Sequence, residues 1–259
     1  MKGIRRRMVY GLYQSAAGLQ TQEYRQAIIA NNLANVDTPG FKPDRITFQE
    51  RLAESLVNGT PRTRHPVLDA LPGGLFESPV YTDYAQSGFE TDAGPLDVAL
   101  AGNGFLTLKT DEGRRYTRDG RMVIDRDGTL RHAATGSPLL DDQGRTIQLE
   151  RTALDKVQID DLGRIRQGEA LVAELAIVDF KDKSALVKTG GNLIDANGQK
   201  PIASTAAVMQ NTVETSGVDS VTSLVEMIEA TRQYQLNANL LTLQDESLGR
   251  AVNDVGRIG

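Results

Sequence analysis

The 259-residue sequence contains no cysteine, only two histidines and no apolar run of about 18 residues. The lack of cysteine excludes disulfides, thiolate metal sites and cysteine nucleophiles. The lack of a long apolar run predicts no membrane-spanning helix, so we expect no direct membrane insertion. A net charge of −5 and a pI near 5.2 give no electrostatic reason to expect nucleic acid as a partner.

The two histidines and a short acidic motif are the candidates for metal ligands. His65 and His132 have no second candidate ligand at helical or hairpin spacing, so we expect no metal site and predict that both are solvated. The run at residues 125–128, Asp-Arg-Asp-Gly, resembles the start of a calcium loop, but no glutamate stands at its closing position. The sequence therefore predicts no metal.

The remaining polar residues offer little catalytic chemistry. The acidic pairs at residues 141–142 and 160–161 are interpreted as turn residues that favour solubility, and aromatic residues, which could line a pocket, make up only 5%. Gly102-Asn103-Gly104 lacks the third glycine and the following helix of a dinucleotide fingerprint, so it is interpreted as a hairpin turn. We expect neither an enzyme, a cofactor nor a small-molecule substrate. The composition leaves a carboxylate-pair hydrolase open.

Glycine and proline are scarce at both ends of the chain. Residues 12–38 contain one glycine and no proline, and residues 218–248 contain neither. In each segment one set of positions recurs in steps of four and three, the spacing of a helix that packs against other helices. The first helix is predicted to end near Thr38, because Pro39 disfavours the α conformation of the residue before it. Its repeating positions are Met8, Leu12, Ser15, Leu19, Gln22, Gln26, Ile29, Leu33 and Val36.

The C-terminal segment has more apolar surface than one partner helix would cover. Asp219 or Ser220 is its predicted N-cap. A second apolar stripe favours several neighbours, although pairing of the two end helices within one monomer stays open. The repeating positions are Leu224, Met227, Thr231, Tyr234, Ala238, Leu241, Asp245, Leu248, Val252 and Val255, and the second stripe consists of Ile228, Leu236, Leu240 and Leu243.

The middle of the chain has the pattern of short strands joined by turns. Glycine recurs every several residues between positions 72 and 200, with turn pairs such as Asp127-Gly128 and Asn197-Gly198. The predicted fold class is α+β: N- and C-terminal helices form a coiled-coil-like unit, with an inserted, mostly antiparallel β domain. The predicted boundaries are an N-terminal helix at 1–41, an extended connector at 42–75, a β-rich outer domain at 76–210 and a C-terminal helix at 211–259.

Three blocks of sequence resemble the bacterial flagellar basal-body rod and hook proteins. The most specific block, residues 31–42, reads Asn-Asn-Leu-Ala-Asn-Val-Asp-Thr-Pro-Gly-Phe-Lys. Two further blocks follow in the family's order: a middle block within residues 95–130, which contains Thr117-Arg118-Asp119-Gly120, and an end block within residues 213–237, which begins Val213-Glu214-Thr215-Ser216-Gly217.

The resemblance implies a structural rod subunit that the flagellar export apparatus secretes unfolded and without a cleaved signal peptide. It implies helical assembly in the periplasm, with copies of itself and other rod and hook subunits, into the driveshaft between motor and hook. The end helices would form inner layers and the β domain would lie outside them. The residues expected at subunit interfaces are Leu12, Leu19, Ile29, Asn31, Asn32, Leu33, Asn35, Leu224, Met227, Ile228, Tyr234, Asn237, Leu241, Leu248 and Val252.

Some features depart from the family pattern or leave alternatives open. Gly217 stands where the family usually has asparagine, which is expected to loosen the entry to the last helix. Residues 1–7 extend beyond the usual start and are interpreted as a surface tail or an upstream start codon. Residues 95–100 and 245–251 favour the proximal-rod member, whereas the connector after Phe41 is more like the distal-rod member. The alternative from another class is a secreted β-rich binding module or glycan hydrolase.

Overall fold

The computed structural model describes residues 2–46, 48–50, 75–77, 80–91, 93–150 and 157–256. It confirms an α+β protein. The strands lie between two long helices in the sequence, and they pair antiparallel. Helix α1 spans Lys2–Ala34 and helix α2 spans Ser220–Gly256. The strands are β1 (Asp44–Arg45), β2 (Phe48–Glu50), β3 (Leu75–Glu77), β4 (Tyr81–Thr82), β5 (Phe89–Thr91), β6 (Val98–Ala101), β7 (Phe105–Thr110), β8 (Gly113–Thr117), β9 (Met122–Ile124), β10 (Leu130–His132), β11 (Val157–Ile159), β12 (Arg164–Gln167), β13 (Ala170–Glu174), β14 (Ile177–Asp179), β15 (Val187–Gly190), β16 (Leu193–Asp195), β17 (Ile202–Ala203), β18 (Ala207–Gln210) and β19 (Thr212–Glu214).

The described residues fall into two compact units. Unit 1 takes its residues from 1–33, 44–81 and 220–259, and unit 2 from 34–43 and 82–219. The domain boundaries that the sequence predicts, after residues 41, 75 and 210, stay predictions. Most of the predicted connector, residues 51–74, lies outside the described residues. Within the predicted connector, strands β1 and β2 lie in the described residues.

Helix α1 ends four residues before the predicted stop at Thr38. The Thr38 amide donates to the Asn35 carbonyl at 3.2 Å, and the Thr38 hydroxyl donates to Asn35 Oδ1 at 3.2 Å. Asparagine competes well with the helix for such local bonds. The turn chemistry of Asn35 and Thr38 therefore ends the helix before Pro39 acts.

Unit 2 is built on a six-stranded sheet in the order β15-β16-β8-β7-β14-β17. Strand β7 separates two apolar clusters, because successive side chains of a strand point to opposite faces. Leu106 and Leu108 pack in the larger cluster with Leu130 and Ile165, whereas Phe105 packs in an aromatic cluster. The larger cluster also includes residues from β6, β9, β11 and β18, so it joins strands that are far apart in sequence.

Gly102-Asn103-Gly104 does not form the predicted hairpin. The strand before it, β6, pairs with β18, and the strand after it, β7, pairs with β8 and β14. A glycine-rich turn shows where a strand ends but does not show which strand it joins next. The link therefore carries the chain from one sheet to another.

The acidic pairs form two copies of one turn. In Asp-Asp-x-Gly-Arg at residues 141–145 and 160–164, the first carboxylate accepts the backbone amides two and four residues ahead and the arginine Nε. The glycines have φ of 77° and 79°, in the left-handed region that glycine tolerates best. Asp141 is 4% exposed. The prediction that the first aspartate of each pair serves solubility was therefore wrong.

His132 is buried rather than solvated. Its ring is 1% exposed, its Nδ1 lies 2.9 Å from Thr135 Oγ1, and its Nε2 lies 3.3 Å from Asp119 Oδ2. Arg121 also donates to the Asp119 carboxylate, at 2.7 and 3.0 Å. The histidine was misjudged because its aspartate partner is 13 positions away in sequence and on neither its own strand nor its own turn.

Candidate assembly surfaces

Helix α2 has one covered face in unit 1. Within residues 220–250, Ala230 is fully buried, Ser223 is 9% exposed, and Met227, Asn237, Leu241, Gln244 and Leu248 are half-buried. Together with Tyr234, these positions recur in steps of four and three. The predicted pattern and the covered face share residues 227, 234, 241 and 248. Between these residues the prediction has 224, 231, 238 and 245, each one position after the covered residues 223, 230, 237 and 244. Leu224 is accordingly 53% exposed.

The small polar residues of this face explain the misplacement. A pattern search that rewards apolar residues selects Leu224 over Ser223, although a small side chain lets a neighbouring backbone approach closely. Two polar residues of the covered face contact α1: Ser15 Oγ lies 3.5 Å from Gln244 Oε1, and a Cβ added to Gly18 would lie 3.2 Å from Asn237 Nδ2.

The opposite side of α2 is an uncovered apolar face. On a helical wheel of 100° per residue, its residues lie roughly opposite the covered face. Leu236 is 63% exposed and Leu243 is 58% exposed. The predicted second stripe therefore exists and is not covered by the described part of this chain. The uncovered face consists of Val221, Val225, Ile228, Leu236, Leu240 and Leu243.

The residues of α1 that were expected at subunit interfaces include both buried and exposed side chains. Ile29 is 5% exposed, Leu19 and Leu33 are half-buried, and Asn31 is exposed. The side chains of Leu12 on α1 and Val252 on α2 lie outside the described set. Thr21 and Gln22 are also buried, at 3% and 8% exposure, so polar residues of α1 take part in packing.

Two asparagines of the specific block bond within their own chain. The Asn32 amide group donates to the Asp44 carbonyl at 2.8 Å and its Oδ1 accepts the Asp44 amide at 3.0 Å. The Asn35 carbonyl accepts the Ser216 hydroxyl at 2.9 Å. The resemblance marked both as interface residues, and the structure gives each an additional task inside the subunit.

Residues 39–43 are held in unit 2 by backbone hydrogen bonds. The Gly40 amide donates to the Glu214 carbonyl at 2.7 Å, and the Gly217 amide donates to the Phe41 carbonyl at 2.9 Å. Gly40 has φ 66°, and a Cβ there would lie 2.4 Å from the Arg118 carbonyl. Gly217 is packed closely as well, since a Cβ would lie 2.7 Å from Pro43 Cδ. This packing argues against a loosened entry to α2.

A buried ion cluster lies beside these bonds. Lys42 Nζ donates to Glu214 Oε1 at 2.6 Å, and Arg118 Nη1 donates to Glu214 Oε2 at 3.4 Å. The three side chains are at most 2% exposed. Lys42 also donates to the Ala85 carbonyl at 2.6 Å, and Arg118 donates to the Gly102 carbonyl at 2.7 Å. We call Lys42, Arg118 and Glu214 the buried triad.

The buried triad places two cations around one carboxylate. Burial lowers the pKa of Lys42 and of Arg118, because it penalises the charged form, and the attraction of Glu214 works in the opposite direction. Losing Glu214 would leave two buried cations without their shared anion, which is expensive. The carboxylate of Glu214 is therefore what makes the burial of Lys42 and Arg118 tolerable.

The carboxyl groups of the described residues bear on the hydrolase alternative. Each carboxyl in them whose pKa departs clearly from the ordinary value has it lowered, as for Asp119, Asp141 and Asp160. A general acid needs a raised pKa. No cluster of three or more metal-ligating side chains occurs in the described ranges. The helices that the structure describes include none with the length and hydropathy of a membrane span.

Comparison with known proteins gives matches along most of the chain. Three family models match: "Flagella basal body rod protein" at residues 12–42, "Flagellar hook protein FlgE/F/G D1 domain" at 99–167, and "Flagellar basal body rod FlgEFG protein C-terminal" at 209–254. The flagellar basal-body rod protein FlgG of Buchnera aphidicola subsp. Acyrthosiphon pisum is 30% identical over 93% of this chain and 98% of its own length.

The chain belongs to the flagellar basal-body rod and hook protein family. It is also 29% identical to FlgG of Bacillus subtilis, over 95% of this chain and 99% of that protein, and 29% identical to the rod protein FlgF of Caulobacter vibrioides, over 95% and 98%. The family resemblance seen in the sequence is confirmed, and the protein is a structural rod-type subunit. Equal identity to FlgG and FlgF does not select one rod member over another.

The buried triad draws one residue from each matched segment of the family. Lys42 closes the first segment, Arg118 lies in the second and Glu214 lies in the third. The three sequence blocks therefore meet in unit 2 around a single carboxylate. Sequence reasoning singled out the blocks but missed the triad. No local pattern marks the triad, because Lys42 and Glu214 are 172 positions apart.

Proposed function

We propose that this protein assembles helically, with copies of itself and other rod and hook subunits, into the shaft that transmits torque from the flagellar motor to the hook. The observation that carries the proposal is the uncovered apolar face of α2. A helix that exposes Leu236 and Leu243 by more than half is expected to bury them against a neighbour. Head-to-tail contacts that do not close generate a helical filament.

The covered face supports pairing of α1 with α2 in a coiled-coil-like unit. Ser15 contacts Gln244 and Gly18 faces Asn237, so residue numbers rise along one helix as they fall along the other. That order is the one expected of antiparallel helices. If the covered face serves this pairing, the uncovered face is left for other subunits, and the end helices would form the inner layer of the shaft.

Further parts of the proposal follow from family membership. The subunit would be a periplasmic component of the basal body, exported by the flagellar apparatus without a cleaved signal peptide. A structural role requires no catalysis, which supports the prediction that the chain is not an enzyme. The proximal rod remains the position we favour, on the sequence of residues 95–100 and 245–251.

The test replaces one residue of the uncovered face in cells that lack their own copy of the protein. Leu243→Asp places a charge on that face and should abolish incorporation into basal bodies and motility, because a charge cannot be buried there without a partner. The purified variant should keep the wild-type urea midpoint, since Leu243 is 58% exposed in the subunit.

Gln233→Asp is the matched control, because Gln233 is an exposed polar residue of the same helix outside both faces. It should leave incorporation and motility intact. Normal basal bodies that contain Leu243→Asp would overturn the interface assignment, and loss of incorporation with both variants would show a general intolerance to charge on α2.

A further inference from the structure

The buried triad joins residues that a growing or emerging chain delivers at very different times. Lys42 and Glu214 are 172 positions apart, and Arg118 and Glu214 are 96 apart. When a chain emerges with its N-terminus first, Lys42 and Arg118 are present long before Glu214, the anion that they share. This order of arrival is the same for any chain that emerges N-terminus first, whatever the function of the protein.

The anion is indispensable to the burial of residues 39–43. Glu214 Oε1 accepts hydrogen bonds from Lys42 Nζ at 2.6 Å and from the Ser87 amide at 2.9 Å. Glu214 Oε2 accepts one from Arg118 Nη1 at 3.4 Å. Without Glu214, Lys42 and Arg118 would be unpaired cations at positions where each side chain is only 2% exposed. An unpaired buried charge is strongly unfavourable, so this site cannot close early.

Two backbone bonds of residues 39–43 also depend on this late segment, whereas the carbonyls of Pro39, Lys42 and Pro43 accept from Asn192, Lys188 and Asp83. The Gly40 amide donates to the Glu214 carbonyl, and the Phe41 carbonyl accepts the Gly217 amide. Strand β19 is itself held by β5, through the pairs Thr212↔Thr91 and Glu214↔Phe89. Phe41 and Lys42 thus gain these partners together, when residues 212–217 arrive.

We infer that the buried triad is a late-closing latch, which fixes the segment after α1 only once strand β19 has been delivered and paired. The β7–β8 hairpin, by contrast, pairs Leu106 with Thr117 and Leu108 with Arg115 over a short loop, and local pairs form early. The contacts of residues 39–43 with Glu214 and Gly217 are therefore expected to form after the hairpin, although these residues are near the beginning of the chain.

The primary experiment is refolding of the full chain with pulsed hydrogen exchange, read residue by residue by NMR. Amides of the β7–β8 hairpin should gain protection first. The amides of Gly40, Asp83 and Gly217, which bond across the latch region, should gain it together in a later phase. Protection of the Gly40 amide in the same phase as the hairpin would overturn the inference.

A variant tests the role of the anion in the native state. Glu214→Gln should speed native exchange of the Gly40, Asp83 and Gly217 amides by about tenfold or more, with hairpin amides unchanged. The matched control is Glu90→Gln on β5, which removes the same charge from an exposed position opposite Val213 and should leave all of these amides as they are. Unchanged latch amides in Glu214→Gln would overturn the latch. If that variant does not fold, the wild-type refolding order still decides the question.

Discussion

Gly40 shows how a single residue limits the junction between distant segments. Its φ of 66° and its approach to the Arg118 backbone leave no space for a side chain. Gly136 is a natural comparison, because it has φ 68° but nothing within 4 Å of an added Cβ. Comparing alanine substitutions at Gly40 and Gly136 therefore separates the energetic cost of backbone strain from the cost of steric exclusion.

We predict that Gly136→Ala lowers the free energy of unfolding by about 1–2 kcal/mol, the cost of a left-handed alanine. Gly40→Ala should lower it by about 3 kcal/mol or more, because overpacking adds about 1–3 kcal/mol. Urea unfolding followed by tyrosine fluorescence measures both. Equal losses in the two variants would mean that the Arg118 backbone moves aside.

Asp119 gives unit 2 a defined acid sensitivity. Burial alone would raise its pKa, but hydrogen bonds from His132 and Arg121 more than offset burial and hold the pKa below the ordinary value of 3.8. A carboxyl with a lowered folded-state pKa stabilises the fold fully above its unfolded value, and this stabilisation is lost as pH falls through the folded value.

The free energy of unfolding should therefore decline as pH falls below about 4, and Asp119→Asn should make that decline shallower while lowering stability at neutral pH. Urea midpoints measured across this range provide the check. Asp142→Asn, which removes an exposed carboxyl outside this cluster, serves as the control. An unchanged pH profile in Asp119→Asn would rule out the assigned role.

At the scale of elements, periodicity predicted both helices but not the register of the covered face. The steps of four and three found Met227, Tyr234, Leu241 and Leu248, because those residues are apolar or aromatic. They missed Ser223, Ala230, Asn237 and Gln244, because small and polar residues carry no hydrophobic signal even when they are buried. The turn glycines likewise located strand ends, whereas pairing of β6 with β18 depends on residues over a hundred positions away.

Leu241 and Leu243 should respond differently in the isolated subunit. Leu241→Asp puts a charge on the covered face, where Leu241 is half-buried, and is expected to lower the stability of unit 1 by about 0.5–3 kcal/mol. Leu243→Asp should be nearly neutral, because its side chain is already mostly in water. Circular dichroism of helix melting distinguishes them. Equal melting would mean that α2 has no preferred face in the subunit.

At the scale of the whole molecule, the family blocks were the most informative part of the sequence. They predicted a rod-type subunit with an inserted β domain, and family membership and the α+β class are confirmed. They did not predict that Lys42, Arg118 and Glu214 meet, since a contact across 172 positions leaves no local pattern. They also did not predict the buried His132–Asp119 pair, for the same reason.

Exchange of amide hydrogens should separate the two units in the free subunit. We expect residues 224–248 of α2 to exchange faster than the β7–β8 amides, because a helix with one face uncovered is only partly stabilised by packing. Assembly should slow amide exchange in α2 and leave amide exchange in β7–β8 unchanged. Mass spectrometry of free and assembled protein measures both states. Full protection of α2 before assembly would contradict the expectation.

The hydrogen bond between Phe41 and Gly217 has a consequence for protein engineering and for evolution. It joins the first segment of unit 2, residues 34–43, to the last residues of unit 2, with a donor–acceptor distance of 2.9 Å. An insertion whose ends meet can be removed, exchanged or enlarged as a cassette, since the host chain only has to bridge a turn. Recombination at residues 34–43 and 215–219 would exchange everything between these positions, including residues 44–81 of unit 1, and would leave both terminal helices unchanged.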